Sequence, residues 1–526
     1  MNTPETTGVP AQDLTGDWPP ADLEAAGAEV LRLIRRHFER IDQVPVSTGA
    51  DAATLRDLLD APLPQEPEPF QRILRDTEER VIPHLTHWNH PNFFAYFATN
   101  AAAPGILAEL LTAALNVNAM LWKSSPAASA LEQVVLRWLA QLCGYEVDAD
   151  GVLVNGASLA TFYALAAARE AAGLDIRQRG MTGRTLPMLR VYATEHAHSS
   201  IDKAVIALGL GLDNLVKIPG DEEFRVRVDL LEEAVRADVE RGYRPLAVVA
   251  VAGTTSTGAV DPLDHVAAVC RRYGMWLHLD AAYGGFYNLV PSVRREVGTF
   301  EAADSIVVNP HKTLFTPLEA TVLYCRRRGA LVNAFSLVPE YLRTNREDGT
   351  VDYMDFSLQL GRQFRALKLW WIIRSFGVQG LRARMETQIA LARSLAQRVD
   401  AHPDFQRVGR SPYPLVCFRA VPADLRGGAG TPAGAAAAAG AASGTAGAAV
   451  AAPVAAADVD ALNRLNAALL ERINASRERF LSHTVVDGLY TLRVSVGNLR
   501  TGQRHIDALW QAVTEALPAA RRDAGL

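Results

Sequence analysis

Ser305-Ile-Val-Val-Asn-Pro-His-Lys-Thr-Leu-Phe315 is the stretch from which the rest of the chain is read. Ser305 to Val308 is a short, largely β-branched and apolar run, which predicts the end of a buried strand. Asn309-Pro310 breaks it, so His311 and Lys312 fall on a turn at the strand's edge. Lysine is rarely buried without a partner, and desolvation lowers its pKa, which makes the amine a usable nucleophile. Taken alone, a lysine in this place is more often a surface residue that happens to follow a strand.

A second stretch changes that balance. Thirty-two residues before Lys312 lies Asp280, in His278-Leu-Asp-Ala-Ala-Tyr-Gly-Gly285, which continues the apolar run Met275-Trp-Leu-His-Leu279. Asp280 then stands off a strand end, where doubly wound sheets place their ligand sites. An acid on one strand end and a lysine on a later one is what pyridoxal phosphate needs. The lysine forms the Schiff base, and the acid keeps the pyridine nitrogen protonated so that the ring withdraws electrons. The small residues after Asp280 leave room for a flat ring. Either element is weak alone; the pair in this order predicts a pyridoxal-phosphate enzyme. The alternation of strands and helices over residues 150–310 predicts an α/β fold with a mostly parallel sheet.

Asn309-Pro-His-Lys312 and His278-Leu-Asp-Ala-Ala-Tyr283 together resemble the pyridoxal-phosphate decarboxylases of the aromatic-L-amino-acid and glutamate decarboxylase group. The resemblance covers roughly residues 70–420 and resumes after 457. The aromatic branch is the nearer one, through His90-Pro-Asn-Phe-Phe-Ala-Tyr-Phe97, Ser125-Pro-Ala-Ala128 and Leu360-Gly-Arg-Gln-Phe-Arg-Ala-Leu-Lys368. Thr313, Ala98 and Gly156 depart from the family pattern, which has respectively a tryptophan, a proline and a hydroxyl residue at those places. The resemblance implies the pyridoxal-phosphate transferase fold of type I, the aspartate-aminotransferase-like one. It divides the chain into an N-terminal helical segment (1–100), a large cofactor-binding domain (101–375) and a small α+β C-terminal domain (376–526). It also implies decarboxylation of an L-amino acid to the amine, and a homodimer with active sites near the interface.

The whole chain sets limits on these readings. Its 526 residues exceed what one core usually organises. Hydrophobic residues make up 49% and charged residues 21%, ordinary values for a soluble globular protein. A formal net charge of −5 gives no reason to expect nucleic acid or an anionic membrane as partner. Cys143, Cys270, Cys325 and Cys417 are scattered and form no CxxC, which speaks against a zinc site and against a disulfide framework and suits a reducing cytoplasm. No metal site is expected. The start of the chain lacks a basic region followed by an apolar one, so no secretory signal is expected, and no apolar run is long enough to span a membrane. From Gly427 to Ala457 nearly every residue is Ala, Gly, Pro, Ser, Thr or Val, a composition that predicts a flexible insertion, with an alanine-rich helix for part of it left open.

The remaining candidates take their roles from the resemblance. Gly156-Ala157-Ser158, between a short strand and a helix, predicts a phosphate cradle of backbone N–H groups at a helix N-terminus, with Ala157 and Ser158 as the contacts; a serine there is otherwise a simple cap. His198 matches the histidine that stacks on the cofactor ring, whereas His196 reads as structural or solvent-facing. Thr255, Ala282, Asn309 and His311 complete the cofactor contacts. The aromatic stretch with Trp88, Tyr96, Phe97 and Thr99 matches a substrate side-chain pocket, although by itself it reads as core packing. Asn118, Met120 and Gly361 join that pocket. The glycine leaves room for a large ring such as indole, while Asn118 and Met120 keep a more polar substrate open. Tyr341, on a long loop before Asp355, matches the tyrosine that protonates the reacting carbon. The alternatives on the same fold are an oxidative aldehyde synthase, an aminotransferase or a diaminobutyrate decarboxylase.

Overall fold

The structure, a computed structural model, describes residues 16–337, 349–425 and 456–526. Seven strands form the main sheet: β1 (Asp150–Val154), β2 (Leu189–Thr194), β3 (Leu215–Ile218), β4 (Arg244–Val251), β5 (Trp276–Asp280), β6 (Ser305–Val308) and β7 (Thr321–Cys325). Their order is β1-β7-β6-β5-β4-β2-β3. The run β6-β5-β4-β2-β3 is parallel throughout. Helices cover both faces, so the strands read as unbroken apolar runs: β4 is buried from Leu246 to Val251.

β7 is antiparallel to both neighbours. The link from β6 carries only the four-residue helix Pro310–Thr313 in place of a crossover helix, so the chain turns back beside the strand it has left. β3, which the apolar pattern does not announce, is a four-residue edge strand whose run is broken by Lys217. The stretch after Cys325, read from sequence as irregular, holds a short helix, Ala330–Phe335.

The C-terminal part builds a second sheet from β8 (Phe405–Arg407), β9 (Leu415–Ala420), β10 (Ser482–Val486) and β11 (Leu489–Ser495), antiparallel, in the order β10-β11-β9-β8. Helices Ala456–Ala475 and Gln503–Asp523 lie against it, and Phe418, Leu465, Leu492, Leu509 and Val513 form its own core. The long helical stretch Ala366–Ala401 contributes Leu369 and Ile372 to the main core and Leu391 and Leu395 to the second. It breaks at Gly377 (φ 61°, ψ 171°), where glycine takes a positive φ without steric cost.

The aromatic stretch after Trp88 forms the seam between the sheets. The Phe94 N–H donates to the Phe480 carbonyl and the Ser495 N–H to the Phe94 carbonyl, both at 2.9 Å. Phe93, Phe94 and Phe97 are buried there. The low-complexity stretch lies outside the described residues up to 455; its last two residues begin the helix Ala456–Ala475. Among the described residues, no helix is long and apolar enough to cross a membrane.

Candidate active site

Parallel strands deliver their following residues to one edge of the sheet, and here the chemistry gathers at that edge. Asp280 ends β5, and Lys312 sits in the short helix directly after β6, the neighbouring strand, with Asp280 in register with Val307. Gly253-Thr254-Thr255 follows β4 and His198 follows β2. β1 runs in the same sense as β6 because both pair antiparallel with β7, so Asn155-Gly156 also emerges at this edge.

Lys312 is partly buried, with Nζ 5.2 Å from the centroid of the Phe97 ring. Burial lowers its pKa; the Asp280 carboxylate opposes this and Arg493 adds to it. The aspartate and the guanidinium are therefore electrostatic neighbours of the amine. Asp280 is nearly buried, and its Oδ1 accepts the Ala282 N–H at 3.0 Å; Ala282 is itself buried. Its Oδ2 makes no hydrogen bond among the described residues, so one carboxylate oxygen is available to a ligand.

Beneath these groups the sheet edge is rigid. The buried Asn309 side chain accepts from the Thr321 hydroxyl at 2.9 Å, which ties the lysine's turn to β7. His311 Nδ1 lies 2.6 Å from the Ala320 carbonyl oxygen, and burial, followed by the Lys312 charge, pushes its pKa down to about 4. It is a neutral orienting group rather than a second cation. His198 receives the Ser200 N–H on Nδ1 at 3.1 Å. Partial desolvation lowers its pKa, the Asp280 charge opposes that shift, and Lys312 reinforces it. Thr255 is exposed at the same edge, while its neighbour Thr254 is buried in a hydroxyl pair with Thr257 at 3.0 Å.

Gly156 (φ 84°) opens the helix Ala157–Ala171, and nothing lies within 4 Å of the position a Cβ would take there. The helix has no side-chain cap, so the N–H groups of its first turn, including those of Ala157 and Ser158, face open space. This is a cradle for an anion. A phosphate-sized cradle, a carboxylate with a free oxygen and a depressed lysine at one sheet edge fit pyridoxal phosphate as a donor set.

The substrate candidates fall into two groups. Trp88, Tyr96 and Phe97 belong to the first. Trp88 and Tyr96 stack at 5.6 Å and are partly exposed, Phe97 stacks on Tyr283 at 3.8 Å, and Thr99 follows them half-buried. Tyr96 has φ 51°, a left-handed conformation that is unusual for an aromatic residue. Asn118, Met120 and Gly361 form the second group. Asn118 Oδ1 accepts the Arg362 N–H at 3.0 Å, and the Met120 carbonyl accepts the Met354 N–H at 2.9 Å. Arg362 in turn forms a buried ion pair with Glu132 at 2.6 Å. Asn118 and Gly361 are exposed, and their contacts lead to Arg362 rather than to the lysine. Tyr341 lies outside the described residues.

Arg493 is the residue that sequence reading missed. It projects from β11 of the second sheet, is 3% exposed, and sits with its guanidinium carbon 4.4 Å from the Phe97 centroid. Nη1 donates to the Tyr96 carbonyl at 2.6 Å and Nε to the Ser256 carbonyl at 3.2 Å, whereas the buried Nη2 has no partner. Its strand lies 181 residues beyond Lys312 and carries no motif, so only the tertiary structure brings it to the amine.

A lysine, an aspartate and an anion cradle at the carboxyl edge of this sheet define a pyridoxal-phosphate enzyme of fold type I. The model of the pyridoxal-dependent decarboxylase conserved domain matches residues 53–421, and the chain belongs to that family of carboxy-lyases. It is 33% identical to a phenylacetaldehyde synthase of a Rosa hybrid cultivar over 96% of either chain. It is 31% identical to tyrosine decarboxylase 4 of Petroselinum crispum, again over 96% of both. Among solved structures it is similar to Oryza sativa TDC with PLP and tryptamine, at 31% identity and TM-score 0.85, covering 97% of this chain and 99% of that one.

Proposed function

We propose that the protein decarboxylates an aromatic L-amino acid to its amine, and that Lys312, Asp280, His198 and Arg493 carry the reaction. The observation behind this reading is that the Lys312 amine and the Arg493 guanidinium, with its unpartnered Nη2, lie over one ring, Phe97, while the Asp280 carboxylate acts on the same amine. When bound, pyridoxal phosphate supplies the electron sink that makes loss of carbon dioxide possible.

The chain's own residues do the rest. Ala157 and Ser158 offer first-turn N–H groups to the phosphate. Asp280 Oδ2 would hold a proton at the pyridine nitrogen when the cofactor is bound, and His198, Thr255 and Ala282 would line its ring. Asn309 and His311 fix the turn that carries Lys312, the amine that would hold the cofactor. Arg493 orients the substrate carboxylate through its free N–H, a charge-assisted bond in a dry site. The aromatic lining from Trp88, Tyr96 and Phe97, and relatives named for tyrosine and tryptophan decarboxylation, support an aromatic side chain.

Leu107, Leu110 and Leu115 on the helix Ala103–Leu115 are exposed, as are Leu23 and Leu31 on the N-terminal helix. Such apolar faces support a homodimer with active sites near the interface, in which the surface group of Asn118, Met120 and Gly361 can line a pocket. Domain bounds near residues 100 and 375 fit the break at Gly377, and four free, buried cysteines suit a cytoplasmic protein.

A mass-spectrometric product screen over the proteinogenic amino acids tests the reading: an aromatic amine is expected, and an aldehyde or keto acid as sole product overturns it. Tyr341→Phe addresses the family's proton donor. If Tyr341 protonates the carbon, amine formation falls by about 10²–10⁴. The product then shifts toward aldehyde, with oxygen consumed and ammonia and hydrogen peroxide released. Amine production at the wild-type rate without oxygen uptake removes Tyr341 from the mechanism.

A further inference from the structure

Glu195 and His196 follow β2, two residues ahead of His198, and have no task in the decarboxylase site. Their side chains meet Asp487, at the tip of the β10–β11 hairpin in the second sheet. One ligand atom from each of the three lies within 4.8 Å of the other two. His196 Nε2 is 3.7 Å from Glu195 Oε1, too long for a hydrogen bond. The His196 side chain is 9% exposed and makes no hydrogen bond among the described residues. A nine-tenths buried imidazole thus points an unpartnered nitrogen at two carboxylates.

Both sides of this cluster are held in place. At Gly220 a Cβ would come within 2.7 Å of His196 Nε2, so the glycine leaves the imidazole its room. The Gly220 N–H donates to Glu195 Oε1 at 3.1 Å, and the His196 ring packs edge-on to Phe224. On the other side, Asp487 (φ 50°) and Gly488 (φ 74°) form a two-residue turn between the paired Val486 and Leu489. Two consecutive positive φ values are the mark of a type I′ hairpin. Val486, just before the tip, is 2% exposed and belongs to the core of the main sheet. The hairpin of the second sheet is therefore plugged into the first, with Asp487 at a fixed position.

We propose that Glu195, His196 and Asp487 bind one divalent transition-metal ion, of the zinc or manganese kind, as a clasp between the two sheets. One imidazole and two carboxylates suit such ions and not calcium or magnesium, which take all-oxygen sets. Ligand atoms about 2.1 Å from a tetrahedral ion are about 3.4 Å apart, so the observed spacing closes on an ion with small side-chain movements. Solvent-facing carboxylates leave the remaining coordination positions to water. The scattered cysteines have no bearing on this site, which uses no sulfur. The ion fixes the loop that carries His198 to the opposite sheet, and is structural rather than catalytic.

Untagged, cofactor-loaded, metal-stripped full-length protein is titrated with zinc and with manganese, following heat and melting temperature. One ion per chain and a raised melting temperature are expected. Second-sphere losses alone cost 10–100-fold in metal affinity, so removing a ligand should weaken binding by at least about tenfold. His196→Ala and Asp487→Asn should both show that loss, and the temperature rise should vanish in both. Asp487→Asn keeps an Asn-Gly turn that favours the same hairpin, so a folding defect in His196→Ala does not leave the matter open. No saturable site up to millimolar metal, or unchanged binding in Asp487→Asn, overturns the proposal.

Discussion

The cofactor edge and the Asn118–Met120–Gly361 surface make an instructive pair. The first is assembled by the sheet itself. Neighbouring strands β5 and β6 bring Asp280 and Lys312 together, and β2, beyond β4, brings His198 to the same edge; burial lowers the pKa values of Lys312, His198 and His311. The second is a set of loop residues held by a buried Arg362–Glu132 ion pair, with an open outer face. Reactive groups sit where the backbone is over-determined, and the groups expected to select a substrate sit where a side chain can change without disturbing the sheet.

The largest effect is expected at the cofactor edge. Lys312→Ala removes the amine that follows β6, and turnover should fall by roughly 10³-fold or more, since removal of a covalent catalytic group is rarely compensated. Absorbance of the cofactor–lysine adduct should disappear while the melting temperature of the apoprotein stays close to wild type. Amine production at the normal rate in this variant breaks the contrast outright.

Acid should act on the rigid regions next. Burial pushes His90, His278 and His311 each down to about 4. Their folded forms are neutral, so between the unfolded value near 6.5 and about 4 the unfolded chain binds more protons. Stability is then full above about pH 6.5 and is lost as pH falls toward 4, by on the order of 3 kcal/mol per ring at the acid end. A melting temperature that falls steeply from pH 6.5 to 4.5 is expected. A flat profile in that window would show that these rings are not held neutral by the fold.

The smallest structural effect is expected at Gly361. Nothing lies within 4 Å of a Cβ built there, and its φ is not in the left-handed region. Gly361→Ser should change stability by no more than about 0.5 kcal/mol. If the glycine makes room for a large ring, kcat/KM for tryptophan relative to tyrosine should fall about 10-fold or more, the range that one small group in a pocket commands. Equal losses for both amino acids would place Gly361 outside the specificity pocket.

By itself the sequence determined the elements whose signal is local. The apolar runs of β4, β5 and β6 are continuous because helices cover both sheet faces, and Asp280 and Lys312 stand at their ends because a charge cannot continue such a run. The short strands β8 and β10 escaped because edge or half-exposed strands carry few apolar residues in sequence, and β3 because its four-residue run is interrupted by Lys217. The antiparallel sense of β7 depends on the short return from Lys312. What only the tertiary structure decided is long-range: Arg493 beside Lys312, Asp487 against His196, and the separation of the aromatic seam from Gly361. Each of these depends on how the second sheet and the loops dock onto the first. A local pattern cannot encode that docking, because it arises from surfaces that residues hundreds of positions apart bury together.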